Sequence, residues 1–196
     1  PATAAFAIGE IESAAGFPAL LQSLRTSSST PVRAAAVEAL GKIAAALPEK
    51  STDDKKQIGA GILDVLDQQP GTSQPDRQVI LLALTAALRA KPDGGPAVVV
   101  MFLESPDARI RADALNAVAR LRAKESLDKI QGMLSKDADP IVRANAARVL
   151  GAAADEPSAD ALAMTMANDP DSRVRVACIR ALASIAADVS RVLRDL

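Results

Sequence analysis

DPIVRANAARVLGAA, from Asp139 to Ala153, decides how this chain folds. Asp139 stands where a helix N-cap satisfies free backbone N–H groups, and Pro140 sits in the first turn, where a missing N–H costs nothing. Beyond it Ala146, Val149, Leu150 and Ala153 fall on one side of a helix at about 100° per residue. Three, six, seven and ten residues beyond Arg143, these are the small and medium apolar residues of one buried stripe.

The same pattern returns in TPVRAAAVEALGKI from Thr30, QPDRQVILLALTAA from Gln74, DARIRADALNAVARL from Asp107 and DSRVRVACIRALASI from Asp171. The repeat anchors are Arg33, Arg77, Arg111, Arg143 and Arg175, spaced 44, 34, 32 and 32 residues apart. Pro1 holds the equivalent place before Arg33, so ATAAFAIGEI is the matching helix of a further unit. Seven residues after each anchor stand Ile8, Leu40, Leu84, Val118, Leu150 and Leu182; three after stand Ala4, Ala36, Ile80, Ala114, Ala146 and Cys178. A register kept this long is the mark of a repeat protein, in which each unit buries its apolar stripe against its neighbours.

Between the anchored helices lie shorter amphipathic segments: Phe17 to Thr26, Asp53 to Gln68, Pro96 to Glu104, Ser126 to Ser135 and Ser158 to Ala167. Each unit is therefore an antiparallel pair, a first helix followed by an anchored second helix. Asp107, Asp139 and Asp171 are the expected N-caps. The 44-residue step is absorbed by PEKSTDD, a longer first helix in which Gly59 and Gly61 predict a loosening or kink, and the turn QQPGTSQP. The tail VSRVLRDL looks like the start of another first helix.

Composition agrees. Hydrophobic residues make up 49 % of 196, yet only 2 % are aromatic, so the core material is Ala, Leu, Val and Ile. Such small side chains let helices pack closely, and Ala is the best helix former. A formal net charge of −1 argues against a nucleic-acid binder, which needs a basic excess. One Cys and no His remove a disulfide framework, a thiolate metal cluster and the commonest general base. No apolar run spans a membrane. No signal-peptide pattern opens the chain at Pro1, and its start suggests a segment excised from a longer protein. The compartment stays open between the cytoplasm and, with an upstream signal removed, the periplasm.

The D-P-x-V-R-x-x-A-x-x-x-L-G pattern, carried by Asp139 to Val142, Arg143, Leu150 and Gly151, resembles bacterial HEAT repeats, including the HEAT-like repeats classed with phycobilisome lyases. The resemblance covers almost the whole chain. It implies one right-handed α-solenoid over residues 1–196, of about five full helix pairs with partial units at both ends. It also implies that the anchor arginines form a ladder with Asp107, Asp139 or Asp171 of neighbouring units. More loosely, FAIGEIES…PALLQSLR…VRAAAVEALGKIAAALP is similar to the HEAT stretch that precedes a cyclophilin-type peptidyl-prolyl isomerase domain in some bacterial proteins. The isomerase activity would then belong to another part of the parent.

A solenoid binds through the helix face that stacking leaves free. On the second helices that face carries Glu38, Leu82, Asn116, Arg120, Arg148 and Arg180, with Phe6 at its start. The expected partner is a protein or peptide, acidic where it meets the arginines of the last units, and the open ends also suit end-to-end self-association. No cofactor is expected. P-loop, Rossmann and nucleophile-elbow patterns are all missing, and Cys178 fills an alanine-type core slot. A HEAT-like lyase or DNA glycosylase is the enzymatic alternative; holding a flipped base favours aromatic platforms, and the chain has no Trp or Tyr.

Overall fold

The computed structural model describes residues 1–69, 75–123 and 126–194, with side chains described through Ala186. The described residues form α-helices and short 3-10 turns, with no strand. The anchored second helices are α1 (Ala2–Ile11), α3 (Thr30–Ala46), α5 (Arg77–Ala90), α7 (Ala108–Leu121), α9 (Pro140–Ala152) and α11 (Ser172–Arg194). The first helices are α2 (Phe17–Thr26), α4 (Thr52–Asp67), α6 (Gly95–Met101), α8 (Leu127–Lys136) and α10 (Ala159–Asn168). The core of QQPGTSQP and Gln74, which opens the third repeat segment, lie outside the described residues.

The chain divides into two compact units, Pro1–Phe102 and Leu103–Leu196. In the first, α1, α3 and α5 stack side by side as one layer, with α2 against α3 and α4 against α5 as the other. In the second, α7, α9 and α11 form one layer, with α8 packed on α9 and α10 on α11. Each is the all-α helix-pair stacking of a HEAT-type solenoid. Leu40, Leu115 and Leu150 are fully buried in the respective layers, each burial contributing roughly 1.5–3 kcal/mol.

Glycine sets how closely second helices approach. A Cβ on Gly41 would lie 2.8 Å from the Ala86 Cα, and one on Gly151 would lie 2.6 Å from the Ala181 Cα. Gly9 meets Ala39 in the same way. The glycine of the L-G pair is thus a socket into which the next helix presents an alanine, and any side chain there would push the layer apart.

That socket exposes a misregistered repeat. Ser29, Asp107, Asp139 and Asp171 stand four residues before Arg33, Arg111, Arg143 and Arg175, but α5 is capped by Asp76, immediately before Arg77. Four residues beyond that cap stands Ile80, which is buried, whereas Arg77 is exposed in the first turn. The sockets agree: Ala39 and Ala181 lie six beyond their anchors, and Ala86 lies six beyond Ile80. Asp76-Arg77-Gln78-Val79-Ile80 is therefore the counterpart of Asp139-Pro140-Ile141-Val142-Arg143. Arg77 is not the anchor of this repeat; its place is taken by an apolar side chain. Asp76 is fixed as the cap because its carboxylate accepts from the Val79 N–H (3.2 Å) and the Thr30 hydroxyl (2.7 Å), while its own N–H donates to Gln69 Oε1 (2.9 Å).

Three smaller expectations change. Helix α4 runs unbroken through Gly59 and Gly61, which pack against Pro92 and Leu21. The tail does not start a new helix, because α11 continues without interruption to Arg194. In α1 the buried residues are Ala5 and Gly9, facing α3, while Ala4, Ala7 and Ile11 are exposed, Ile11 by 72 %. Ala7 is the counterpart of Ala39, Ala86 and Ala181, each of which packs on the glycine of the second helix before it.

Candidate interaction surface

The anchor arginines are spent inside the stack. Arg111 donates from Nε and Nη2 to Asp137 Oδ2 and Oδ1, at 2.8 and 2.7 Å, and from Nη1 to the carbonyls of Ser105 and Pro106. Arg143 repeats this 32 residues on, with Asp169 and the carbonyls of Asp137 and Ala138. Arg175 donates to the carbonyls of Asp169 and Pro170. Arg33 stands 4.0 Å from Asp76. The aspartates that these anchors reach are therefore Asp76, Asp137 and Asp169 rather than Asp107, Asp139 or Asp171.

Those other three carboxylates are turned into their own helices. Asp139 accepts from the Ile141 and Val142 N–H groups, Asp107 from those of Arg109 and Ile110, and Asp171 from that of Arg173. Asp137 and Asp169 each also accept the N–H of the aspartate two residues on, at 2.9 Å. The motif is thus Asp-x-Asp: the first carboxylate takes the preceding repeat's arginine and the second caps the helix.

Electrostatics follow. Asp169 is held below the usual carboxylate range by its hydrogen bonds from Arg143, against the effect of burial. Burial alone pushes Asp137 up, but hydrogen bonds from Arg111 and the Asp139 backbone outweigh it and leave the group lowered. Asp171 is lowered to about 2 by the side-chain and backbone hydrogen bonds of Arg173. Burial pushes the Cys178 thiol up to about 11.

The free face of the second helices differs between the two units. In the first, Lys42 Nζ lies 2.5 Å from Glu10 and 3.1 Å from Glu38, and 5.2 Å from the centre of the Phe6 ring. Glu38 is half-buried within this cluster, in which one ammonium is shared between two carboxylates. Leu82 is half-buried too, two residues beyond Ile80 and not on the outward stripe, where Thr85 stands instead.

In the second unit Asn116, Arg120, Arg148 and Arg180 are all exposed. Arg148 and Arg180 come together on one open groove of about 260 Å³ between α9 and α11, lined also by Ser172, Arg173, Val176 and Ala177. Asn116 and Arg120, on α7, do not line it. Arg173 pairs with Asp171 at 2.6 Å, and Arg148 donates to the amide oxygen of Asn145 at 2.6 Å. Arg173, Val176 and Asn145 were not singled out by the repeat register. The one signal for Asn145 was an amide two residues beyond the anchor, where α3 and α11 carry alanine, α5 leucine and α7 aspartate.

Among the described residues no group of three or more His, Cys, Asp or Glu is placed to hold a metal ion. No helix of the described residues is long and apolar enough to cross a membrane.

Two family comparisons match the chain: residues 95–183 match the family described as HEAT repeats, and residues 17–47 the family described as HEAT repeat. No curated protein matches. Among solved structures, an engineered protein is similar at 22 % identity and a TM-score of 0.61, covering 95 % of this chain and 90 % of that one. Human deoxyhypusine hydroxylase in complex with glycerol is similar at 19 % and 0.53, covering 95 % and 79 %. The complex of CpcE and CpcF of phycocyanin lyase from Nostoc sp. PCC7120 is similar at 19 % and 0.50, covering 94 % and 73 %. At these identities the likeness is one of fold.

Proposed function

We propose that this chain of HEAT-type helix pairs is a non-catalytic protein-binding module, and that its partner is an extended polypeptide read by the free face of α7, α9 and α11. The carrying observation is the division of labour among arginines. Arg111 and Arg143 are consumed in joining repeats, whereas Arg120, Arg148 and Arg180 stand exposed on the face that stacking leaves open. A solenoid presents such a face ready-formed, so a disordered segment can lie along it without reorganising the receptor. Positive charge there favours acidic partners and speeds their capture.

The test is an array of randomised extended peptides. A subset should bind saturably, and the triple change Arg120→Glu, Arg148→Glu, Arg180→Glu should abolish that binding without lowering the melting temperature. Binding that survives the triple reversal removes this face from the function, and an array with no saturable binder overturns the module reading.

The second reading is a recruiting arm attached to a catalytic domain. The similarity of the Phe6 to Pro48 run to the segment preceding cyclophilin-type isomerase domains favours it. The working surface would be the same, and the bound peptides would then be proline-containing substrates.

A further inference from the structure

We propose that the groove between α9 and α11 is a carboxylate-accepting subsite, in which Arg148 and Arg180 grip one acidic side chain of the partner peptide and Asn145 is the positioning residue that holds Arg148. This rests on the protein-binding reading above and names the chemistry it uses at one place.

Three guanidinium groups line the groove, but only two are available. Arg173 is bound through Nε and Nη2 to Asp171 at 3.0 and 2.6 Å, so its charge is answered inside its own turn. Asp139, which also acts on Arg173 from the start of α9, is occupied in capping that helix. Arg148 is held by a neutral group and keeps its full charge. Arg180 makes no ion pair with any described residue. Two uncompensated guanidiniums one repeat apart form a fork for a carboxylate, the group whose planar geometry a guanidinium matches with paired N–H donors. Between them Val176, 44 % exposed, gives a neighbouring aliphatic side chain something to rest on.

Asn145 is the second, independent observation. It is only 4 % exposed, within the α7–α9 layer. Burying an amide costs free energy unless its hydrogen bonds are made. Asn145 meets that condition in an informative way: Nδ2 donates to the Ala112 carbonyl at 3.1 Å, and Oδ1 accepts from Arg148 Nη1 at 2.6 Å. The corresponding place holds Ala35 in α3, Leu82 in α5, Asp113 in α7 and Ala177 in α11, so packing does not demand an amide. What the amide adds is a fixed anchor under Arg148. Fixing a long side chain before the ligand arrives removes an entropy loss from binding.

The experiment uses the full chain and pairs of immobilised peptides from the binding set that differ only in one position, glutamate against its isostere glutamine. Glutamate should be preferred by about tenfold, and Arg148→Ala and Arg180→Ala should each erase most of that preference. Asn145→Ala should weaken the glutamate peptides by about threefold to tenfold, and should weaken them no further once Arg148 is already alanine. Arg148→Lys, which keeps the charge but loses the fork, should behave like Arg148→Ala. If glutamate and glutamine peptides bind the parent equally, the subsite is wrong while the binding module stands. If Asn145→Ala loses affinity equally with and without Arg148, the amide is structural and its positioning role falls. No peptide binding at all sinks both proposals together.

Discussion

Arg143 and Asp169, 26 residues apart in sequence, meet through two parallel hydrogen bonds of 2.7 and 3.0 Å with side chains only 12 % and 5 % exposed. Arg111 and Asp137 repeat the pair one repeat earlier. Each arginine also holds two carbonyls of the loop before its own helix. One guanidinium thus fixes the turn entering its helix and binds the turn entering the next. The structural motif is this coupling of loops, and it explains why these arginines are unavailable to a ligand.

Asp169→Ala should therefore cost more than an ordinary ion-pair deletion. It leaves Arg143 with its charge half-buried and unanswered, and it removes the acceptor of the Asp171 N–H. We expect a loss of about 2–4 kcal/mol. Arg173→Ala, at an exposed pair, should leave the urea midpoint close to that of the parent. Urea unfolding of both variants checks this, and equal losses would contradict the asymmetry.

Acid should weaken the second unit through the same groups. Asp137, Asp169 and Asp171 all titrate below their ordinary range in the folded chain, Asp171 at about 2. A carboxyl depressed by folding contributes stability that is fully present above its unfolded value, near ~3.9, and is lost as pH falls through the folded one. The melting midpoint should be flat above about pH 5 and fall from about pH 4 towards pH 2. Asp169→Asn should flatten part of that fall. A decline beginning above pH 5 would point to other groups.

The glycines separate close approach from helix propensity. Gly151→Ala drives a Cβ onto the Ala181 backbone and should destabilise by about 1–3 kcal/mol. Gly132, inside α8, has nothing within 4 Å of an added Cβ. Gly132→Ala should stabilise by about 0.5–1 kcal/mol, because it restricts the unfolded chain at a helical position. Thermal melts of the two variants should move in opposite directions.

Cys178 tests burial. It is fully buried in α11, and desolvation raises its thiol to about 11, so the reactive thiolate is scarce at neutral pH. Labelling with a disulfide reagent at pH 8 should be slow in the native chain and fast in denaturant. Rapid native labelling would show that α11 opens readily from α9.

The helix pairs were legible because apolar period and capping signal agree. Phe17–Thr26 is α2 to the residue, and the other first helices are displaced by about one residue at most, apart from the last turn after α6, which tightens to 3-10 over Phe102–Glu104. The ladder's partners were not legible. Asp137 and Asp139 are the same residue type two positions apart, and only the path of the turn decides which carboxylate points back along the stack. The surface was partly legible: Arg148 and Arg180 follow from the register, whereas Arg173 and Asn145 enter through contacts between helices that no single repeat displays. Leu82 lies off the outward face because the register of α5 runs from Ile80 and not from Arg77.

The shift from Arg77 to Ile80 gives the sharpest test of the register. If Arg77 anchored its repeat as Arg143 does, Arg77→Ala would cut a turn loose. In the structure Arg77 is an exposed first-turn residue, and Ile80 fills the anchor position between α5 and its neighbours. Arg77→Ala should shift stability by less than about 1 kcal/mol, the most that contacts of an exposed charged side chain contribute. Ile80→Ala leaves a cavity in a closed layer and should cost about 2–4 kcal/mol. Ile80→Arg places a charge where the parent buries an apolar side chain at 2 % exposure, and should destabilise at least as much as the alanine. An Ile80→Arg chain as stable as the parent would show that the anchor position of α5 is open to water.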